Sequence, residues 1–336
     1  MPGSIRESGT ASILTRSSRG ERPLTRGAVV AGTLGRVGRA LLRFGRYKPL
    51  GAASGLVVFV IVLAALFAPW VATHDPLKMS VSERFQGYSS RHLMGTDNWG
   101  RDVFSNVVHG ARISVSVGFL AVFLGTGLGA LWGLVSGYAG GWFDLLTQRL
   151  VDMLQGLPTL VLALVLVAAL GASVTNTVLA IAFTLLPLGA RVVRATAISV
   201  KENTYVDAAR AIGASPLRVA LRHVCPQCMA PYLIVVSTTL GTAILMEASL
   251  SFLGVGVPPP EPSWGRMLSG VGRDFLLRAP WISFFPGLAI SLTVLGFNLL
   301  GDALRDVWDP RLRGTGPAVG GLGGVGSRSA FRPARQ

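Results

Sequence analysis

LPTLVLALVLVAALGASVTNTVLAIAFTLLPLGA, residues 157–190, is a run of 34 residues without a charge. As one helix at about 1.5 Å per residue it would measure about 51 Å, against a bilayer core of about 30 Å. The run must fold back on itself, with GASVTN (171–176) as the turn. One stretch therefore supplies two bilayer crossings.

Four more apolar runs surround this hairpin. GAASGLVVFVIVLAALFAPWVAT (51–73) has no charge, and neither does Ile113 to Phe143. Tyr232 to Val257 is interrupted only by Glu247, and Trp281 to Gly301 closes the set. Six spans follow, at about 51–73, 113–135, 154–171, 175–193, 232–256 and 281–301. The composition agrees: 14% of residues are charged, where a soluble domain has about 25%. Half are apolar and mean hydropathy is +0.53. The fold class expected is an all-α integral membrane protein with six transmembrane helices.

The net charge of +15 bears first on orientation. With the N-terminus in the cytoplasm, the inner segments hold 23 Lys and Arg and the outer segments 8. Both termini are then expected inside. Residues 1–48, with ten basic residues and two acids, read as a disordered cytoplasmic tail, and 314–336 as a second one. The first tail is too long for a signal-peptide n-region and no clear cleavage site follows the first span, so an uncleaved anchor is expected. The membrane domain is 49–313.

Within span two, Gly125, Gly129, Gly133 and Gly137 recur every four residues along one face. A second helix backbone can approach closely there.

One charged stretch interrupts the apolar chain: YVDAARAIGASPLRVALRHVCP, 205–226, on the predicted cytoplasmic side. Thr204 to Asp207 has the form of a capping box, so a helix can start at Tyr205. Gly213 suits the position that ends it. Ser215 is a second N-cap, with Pro216 at the first helical position. Leu217, Ala220, Leu221 and Val224 fall on one stripe, and Pro226 and Pro231 are expected to separate the insert from span five. Helices this short are marginal in water and need a surface to lie on, membrane or protein.

The pattern D-A-A-x-x-x-G-x9-H-V-C-P (207–226) resembles the EAA loop of binding-protein-dependent ABC importers. Asp207 stands where that family has Glu, and Cys225 replaces a usual Leu; Ala208, Ala209, Gly213 and Pro226 match. LMGTDNWGRDVFS (93–105), GARISVSVG (110–118), EASLSFLGVGVPPPEPSWGRML (247–268) and DPRLR (309–313) are similar to the C-type permeases of the dipeptide, oligopeptide and nickel group. The resemblance covers roughly 45–313. It implies a type I importer permease fold in which Asp207, Ala208, Ala209, Arg210, Gly213 and Pro226 form the coupling helix region that meets the ATPase. The implied partners are a second permease subunit, two cytoplasmic ABC ATPases and an extracytoplasmic substrate-binding protein, in a bacterial plasma membrane. The implied cargo is a di- or oligopeptide, with nickel, glutathione or another small solute as alternatives.

No P-loop occurs, and the only lysines are Lys48, Lys78 and Lys201. Neither H-E-x-x-H nor G-x-S-x-G is present. No catalytic, cofactor-binding or metal residue is expected, and energy must come from a partner. Cys225 and Cys228 read as small apolar replacements rather than a redox or metal pair. His74, His92 and His109 fit no ligand spacing and read as solvated loop residues. Thr96 and Asp97 read as helix caps. Trp264 either anchors at the interface or lies in a loop that meets a binding protein. Glu247, an acid within a span, either contacts substrate in the translocation path or makes an interhelical bond. An ion-coupled carrier working through Glu247 is a second reading, disfavoured by one core acid and no evident repeat. DNA binding through helix–Gly–helix is a third. Both helices abut spans too closely to reach a groove, so no nucleic-acid partner is expected.

Overall fold

The computed structural model describes residues 48–270 and 274–308. The expected tails lie outside these residues, apart from Lys48, as do residues 309–313 of the expected membrane domain. Among the described residues the chain is helical, with a single isolated bridge between Thr96 and Asp102.

Helix α1 (Pro49–Leu66) starts on a proline, whose missing N–H costs nothing in a first turn. A one-turn helix, α2 (Ala68–Val71), follows it. Helix α3 (Val103–Ala139) is capped by the Asp102 side chain and stops at Gly140, φ +70°. Its 37 residues reach about 56 Å, so it extends beyond the lipid core. Then come α4 (Gly141–Gln155), α5 (Thr159–Leu170) and α6 (Val174–Lys201). Helices α7 (Thr204–Ala211), α8 (Pro216–Val219) and α9 (Cys225–Phe252) lead to the short α10 (Trp264–Leu268) and to α11 (Trp281–Trp308).

Five helical stretches are long and apolar enough to cross a bilayer: α1, α3, α6, the run Pro216–Phe252, and Trp281–Asp306. The sixth crossing is broken. Helices α4 and α5 pass that test only as a pair and are bent by 89°. The expected segment 154–171 is thus not one straight helix. Leu157 precedes a proline and is pushed out of the helical region, and Pro158 has ψ 125°. The 12 residues of α5 reach only about 18 Å. Helix α4 is instead tied to α6 by charge: Arg194 forks onto both Asp144 oxygens at 2.6 Å, and Arg191 donates to Asp152 at 2.8 Å.

The hairpin turn falls at 171–173, inside the expected GASVTN. Gly171 has φ +89°, Ser173 caps α6, and the Asn176 amide donates to the carbonyls of Leu170 and Gly171 at 2.9 Å.

Helices α3 and α6 form the centre of the bundle, and their backbones touch. A Cβ at Gly125, Gly129, Gly133 or Gly137 would run into backbone atoms of Ala182, Leu186, Ala190 or Arg194. From the α6 side Gly189 lies equally tight against Thr126. The glycine ladder is therefore a helix–helix seam, and its partner is α6. Helix α9 packs on α3, α6 and α11, and α1 packs on α11 and α3. The periphery is apolar, with Leu56, Phe59, Leu120, Leu128, Leu131, Phe183 and Leu295 all exposed. A water-facing surface would not carry so wide an apolar area; a lipid-facing one does.

Candidate functional site

The charged insert sits at the C-terminal end of α3. Val206, Ala209 and Val219 are buried together there, with Tyr138 and Ala214 against them. The N-cap of α7 is Asn203, not Thr204. The Asn203 carbonyl accepts from Val206 N at 2.9 Å, while its side-chain amide donates back to Val200 O at 3.0 Å. One residue thus closes α6 and opens α7, which leaves the Thr204 box unmade.

The end of α7 is a Schellman motif. Ala214 N donates to Ala209 O at 3.1 Å and Gly213 N to Arg210 O at 2.9 Å, with Gly213 at φ +85°. Ser215 then caps α8 by accepting from Arg218 N at 3.4 Å, and Pro216 takes the first helical position.

Beyond α8 the structure departs from expectation. Pro226 and Pro231 do not break the helix: it runs from Pro216 to Phe252, with a π turn at Ala220–Val224. The wide turn lies just ahead of Pro226, where the ring would otherwise meet the carbonyl four residues back. It also changes the helical phase. Val219, Val224 and Cys228 face inward, whereas Leu217 and Leu221 of the expected stripe are 69% and 57% exposed. Cys225 and Cys228 are free thiols, and Cys228 is packed among Leu134, Val193 and Ala197.

The residues matched to the EAA pattern divide accordingly. Ala209 is buried, while Asp207, Ala208, Arg210, Gly213 and Pro226 are exposed. Asp207 and Arg210 pair with each other at 3.1 Å across solvent. Ile212 is 87% exposed beside them.

Glu247 lies near the other end of α9 and is fully buried. Its Oε1 accepts from the Ser251 hydroxyl at 2.7 Å, and Oε2 has no hydrogen-bond partner. Ser251 in turn accepts from Val257 N at 3.1 Å, which folds the chain after α9 back onto it. The hydroxyls of Ser114 on α3 and Ser263 before α10 complete its surroundings. No arginine is bonded to Glu247 among the described residues. Trp264 is buried beside this nest and donates from Nε1 to Val107 O at 2.9 Å. A buried ring cannot anchor at the lipid interface: Trp264 instead bolts α10 onto α3.

The loop from 72 to 102 holds the remaining polar cluster. Asp97, read as a helix cap, instead organises a turn, accepting from Trp99 N at 2.8 Å and Arg101 N at 2.9 Å. Thr96 binds within the loop, taking Gln86 N at 2.8 Å. The helix cap is Asp102, whose Oδ2 accepts from Ser105 N at 2.8 Å and from the Ser105 hydroxyl at 2.7 Å. His92 is not solvated but 2% exposed, and its Nδ1 lies 2.9 Å from Asp102 Oδ1. The His74 ring is 4.9 Å from the His92 ring. His109 bonds to Ser105 O on its own helix. Burial alone would raise the Asp102 carboxyl. The Ser105 hydroxyl, His92 and the Ser105 amide outweigh it and hold the group below the usual carboxylate range.

A helical bundle with an apolar exterior, a glycine-seamed centre and one bent helix pair defines a multi-pass membrane protein. Residues 128–314 match the family described as the binding-protein-dependent transport system inner membrane component, and the chain belongs to that family. Residues 38–87 match the N-terminal transmembrane domain of oligopeptide transport permease C. A Brucella suis biovar 1 (strain 1330) protein, provisionally named a peptide transport system permease, is 45% identical over 263 residues, 77% of this chain and 87% of the relative. A dipeptide transport system permease protein of Alkalihalophilus pseudofirmus is 42% identical over 78% of this chain and 86% of its own length. A glutathione transport system permease protein of Escherichia coli O1:K1 is 41% identical over 80% and 89%.

Three features escaped the sequence reading: the exposed trio Ile212, Leu217 and Leu221, the serines around Glu247, and the His74–His92–Asp102 cluster. Only the last left a local trace, since His92 and Asp102 bracket the LMGTDNWGRD motif.

Proposed function

We propose that the chain is one of two permease subunits of an ATP-driven importer in the bacterial plasma membrane, with both termini cytoplasmic. Its cargo is a di- or oligopeptide, a class that includes the tripeptide glutathione. Relatives named for peptide, dipeptide and glutathione transport support the cargo. The excess of Lys and Arg in the segments assigned to the cytoplasm supports the orientation. Two ATPases bind from the cytoplasm, and a binding protein delivers the peptide from the other side.

One observation carries the coupling assignment. The helix pair is packed from behind through Val206, Ala209 and Val219, yet it presents Ile212, Leu217 and Leu221 outward at 87%, 69% and 57% exposure. A short polar helix pair with large apolar side chains outward is a docking surface for another protein. Closure of the ATPase pair on ATP moves this surface, and the spans switch their opening from one side to the other. Glu247, buried among serines of α9, α3 and the segment before α10, is sealed in the packing of these elements rather than meeting the cargo.

The test is cross-linking in the assembled transporter. A Leu217→Cys chain is expected to cross-link to the co-expressed ATPase and to be labelled only from the cytoplasmic side. Labelling from outside intact cells would overturn the orientation and the docking surface together. The ligand carried by the co-purifying binding protein tests the cargo: a metal complex instead of a peptide would refute that assignment.

A further inference from the structure

At the end of α3 opposite the helix pair, three donors from separate parts of the chain converge. His74 follows α2, His92 lies mid-loop, and Asp102 caps α3. One donor atom from each lies within 4.8 Å of the other two. We propose that His74, His92 and Asp102 bind one divalent transition-metal ion of the zinc class, clamping the 72–102 loop onto the start of α3.

The donor set is right for such an ion. Two imidazoles and one carboxylate, with a fourth position for water or the Thr73 hydroxyl, is a common zinc environment. Bonds of about 2.0–2.2 Å place tetrahedral donors about 3.3 Å apart. His92 Nδ1 and Asp102 Oδ1 are 2.9 Å apart, and His74 Nδ1 and Asp102 Oδ2 are 3.9 Å apart, so the cluster brackets that spacing. Asp102 and His92 are buried and fixed. The His74 side chain is 30% exposed and can swing the remaining distance.

A second, independent observation points the same way. With a proton on Nδ1 shared with Asp102, the opposite nitrogen of His92 is a bare lone pair, buried and without a partner. Buried polar atoms are rarely left so. Metal at Nδ1 forces the ring proton onto Nε2, and Glu83 Oε2 lies 4.0 Å from that atom. The orphan then becomes a donor 4.0 Å from a carboxylate, the usual outer partner of a metal-bound imidazole. Arg91 holds Glu83 in place at 2.8 Å. The proton between His92 and Asp102 is the one that moves to Nε2, so binding changes the tautomer of His92 and needs no net release of a proton.

The experiment uses the full chain in lipid nanodiscs, stripped with chelator. Cys225→Ser and Cys228→Ser are combined as background to remove the other candidate ligands. Co2+ titration is followed by visible d–d absorption, then by Zn2+ competition. One tetrahedral Co2+ per chain is expected, displaced by Zn2+. His74→Ala and Asp102→Asn, the second retaining a helix cap, should each weaken Zn2+ by about tenfold or more. His109→Ala should leave affinity unchanged. Zn2+ should raise the melting temperature of the background chain but not of the His74 variant. No tetrahedral Co2+ signal, or binding that survives both ligand variants, would reduce the cluster to a plain Asp–His latch.

Discussion

Substitution at Gly213 separates the backbone demand of the α7–α8 bend from packing. A Cβ there would meet nothing within 4 Å, so Gly213→Ala introduces no clash. It does hold a non-glycine residue at φ +85°, at a cost of about 1–2 kcal/mol. That shifts the population against the bend by about 5- to 30-fold. Asparagine tolerates the left-handed region better, so Gly213→Asn should fall between glycine and alanine. Gly213→Pro is harsher. It fixes φ near −65°, removes the amide that donates to Arg210 O at 2.9 Å, and should cost about 3 kcal/mol or more. The assay is ATP-driven peptide uptake into proteoliposomes holding the assembled transporter, with hydrolysis measured in the same vesicles. Uptake should fall in the order Gly, Asn, Ala, Pro, and ATP hydrolysed per peptide moved should rise along it. Wild-type uptake and ATPase association in the proline variant would refute the role of the bend.

Three further outcomes test the fold around the site. Gly129→Ala should lower the melting temperature of the chain in nanodiscs, since its Cβ would overlap the Leu186–Ala190 backbone at about 1–3 kcal/mol. Gly127→Ala on the same helix meets only the Tyr232 hydroxyl, at 3.4 Å, and should melt no lower than the parent. Glu247→Gln keeps an acceptor for Ser251 and should preserve both uptake and melting, whereas Glu247→Ala should lose about 1–3 kcal/mol of stability. Uptake abolished by Gln at unchanged melting would place the carboxylate in the transport path. Trp264→Phe removes the indole bond to Val107 O and should cost about 0.5–1.5 kcal/mol by thermal unfolding.

What could be read beforehand was local. Runs without charge mark lipid-facing helices because no bilayer group can satisfy a polar side chain. Four glycines at fourfold spacing mark a close helix contact, though not which helix makes it. The Gly213 and Ser215–Pro216 signals survive because a Schellman end and an N-cap are set by a few adjacent residues. Features set by competition between neighbouring signals, or by distant parts of the chain, stayed hidden. Asn203 won the cap because it also closes α6, and a π turn let Pro226 remain in a helix while rotating Leu217 and Leu221 outward. The serines around Glu247 come from positions 114, 251 and 263, a nest that no spacing rule detects. His92 was read as solvated because nothing in its own neighbourhood shows that residue 74 lies over it.

The continuity of the helix from Pro216 to Phe252 makes it a see-saw beam. A push on Leu217 at one tip is not absorbed by a joint before the bilayer, as two hinge prolines would have allowed. It arrives about 50 Å away at the shoulder where Glu247 and Ser251 grip the neighbouring segments. The same beam obliges anything that rearranges that shoulder to tug back on the tip, and under the proposed function it would let cargo and nucleotide sense each other through a single piece of backbone.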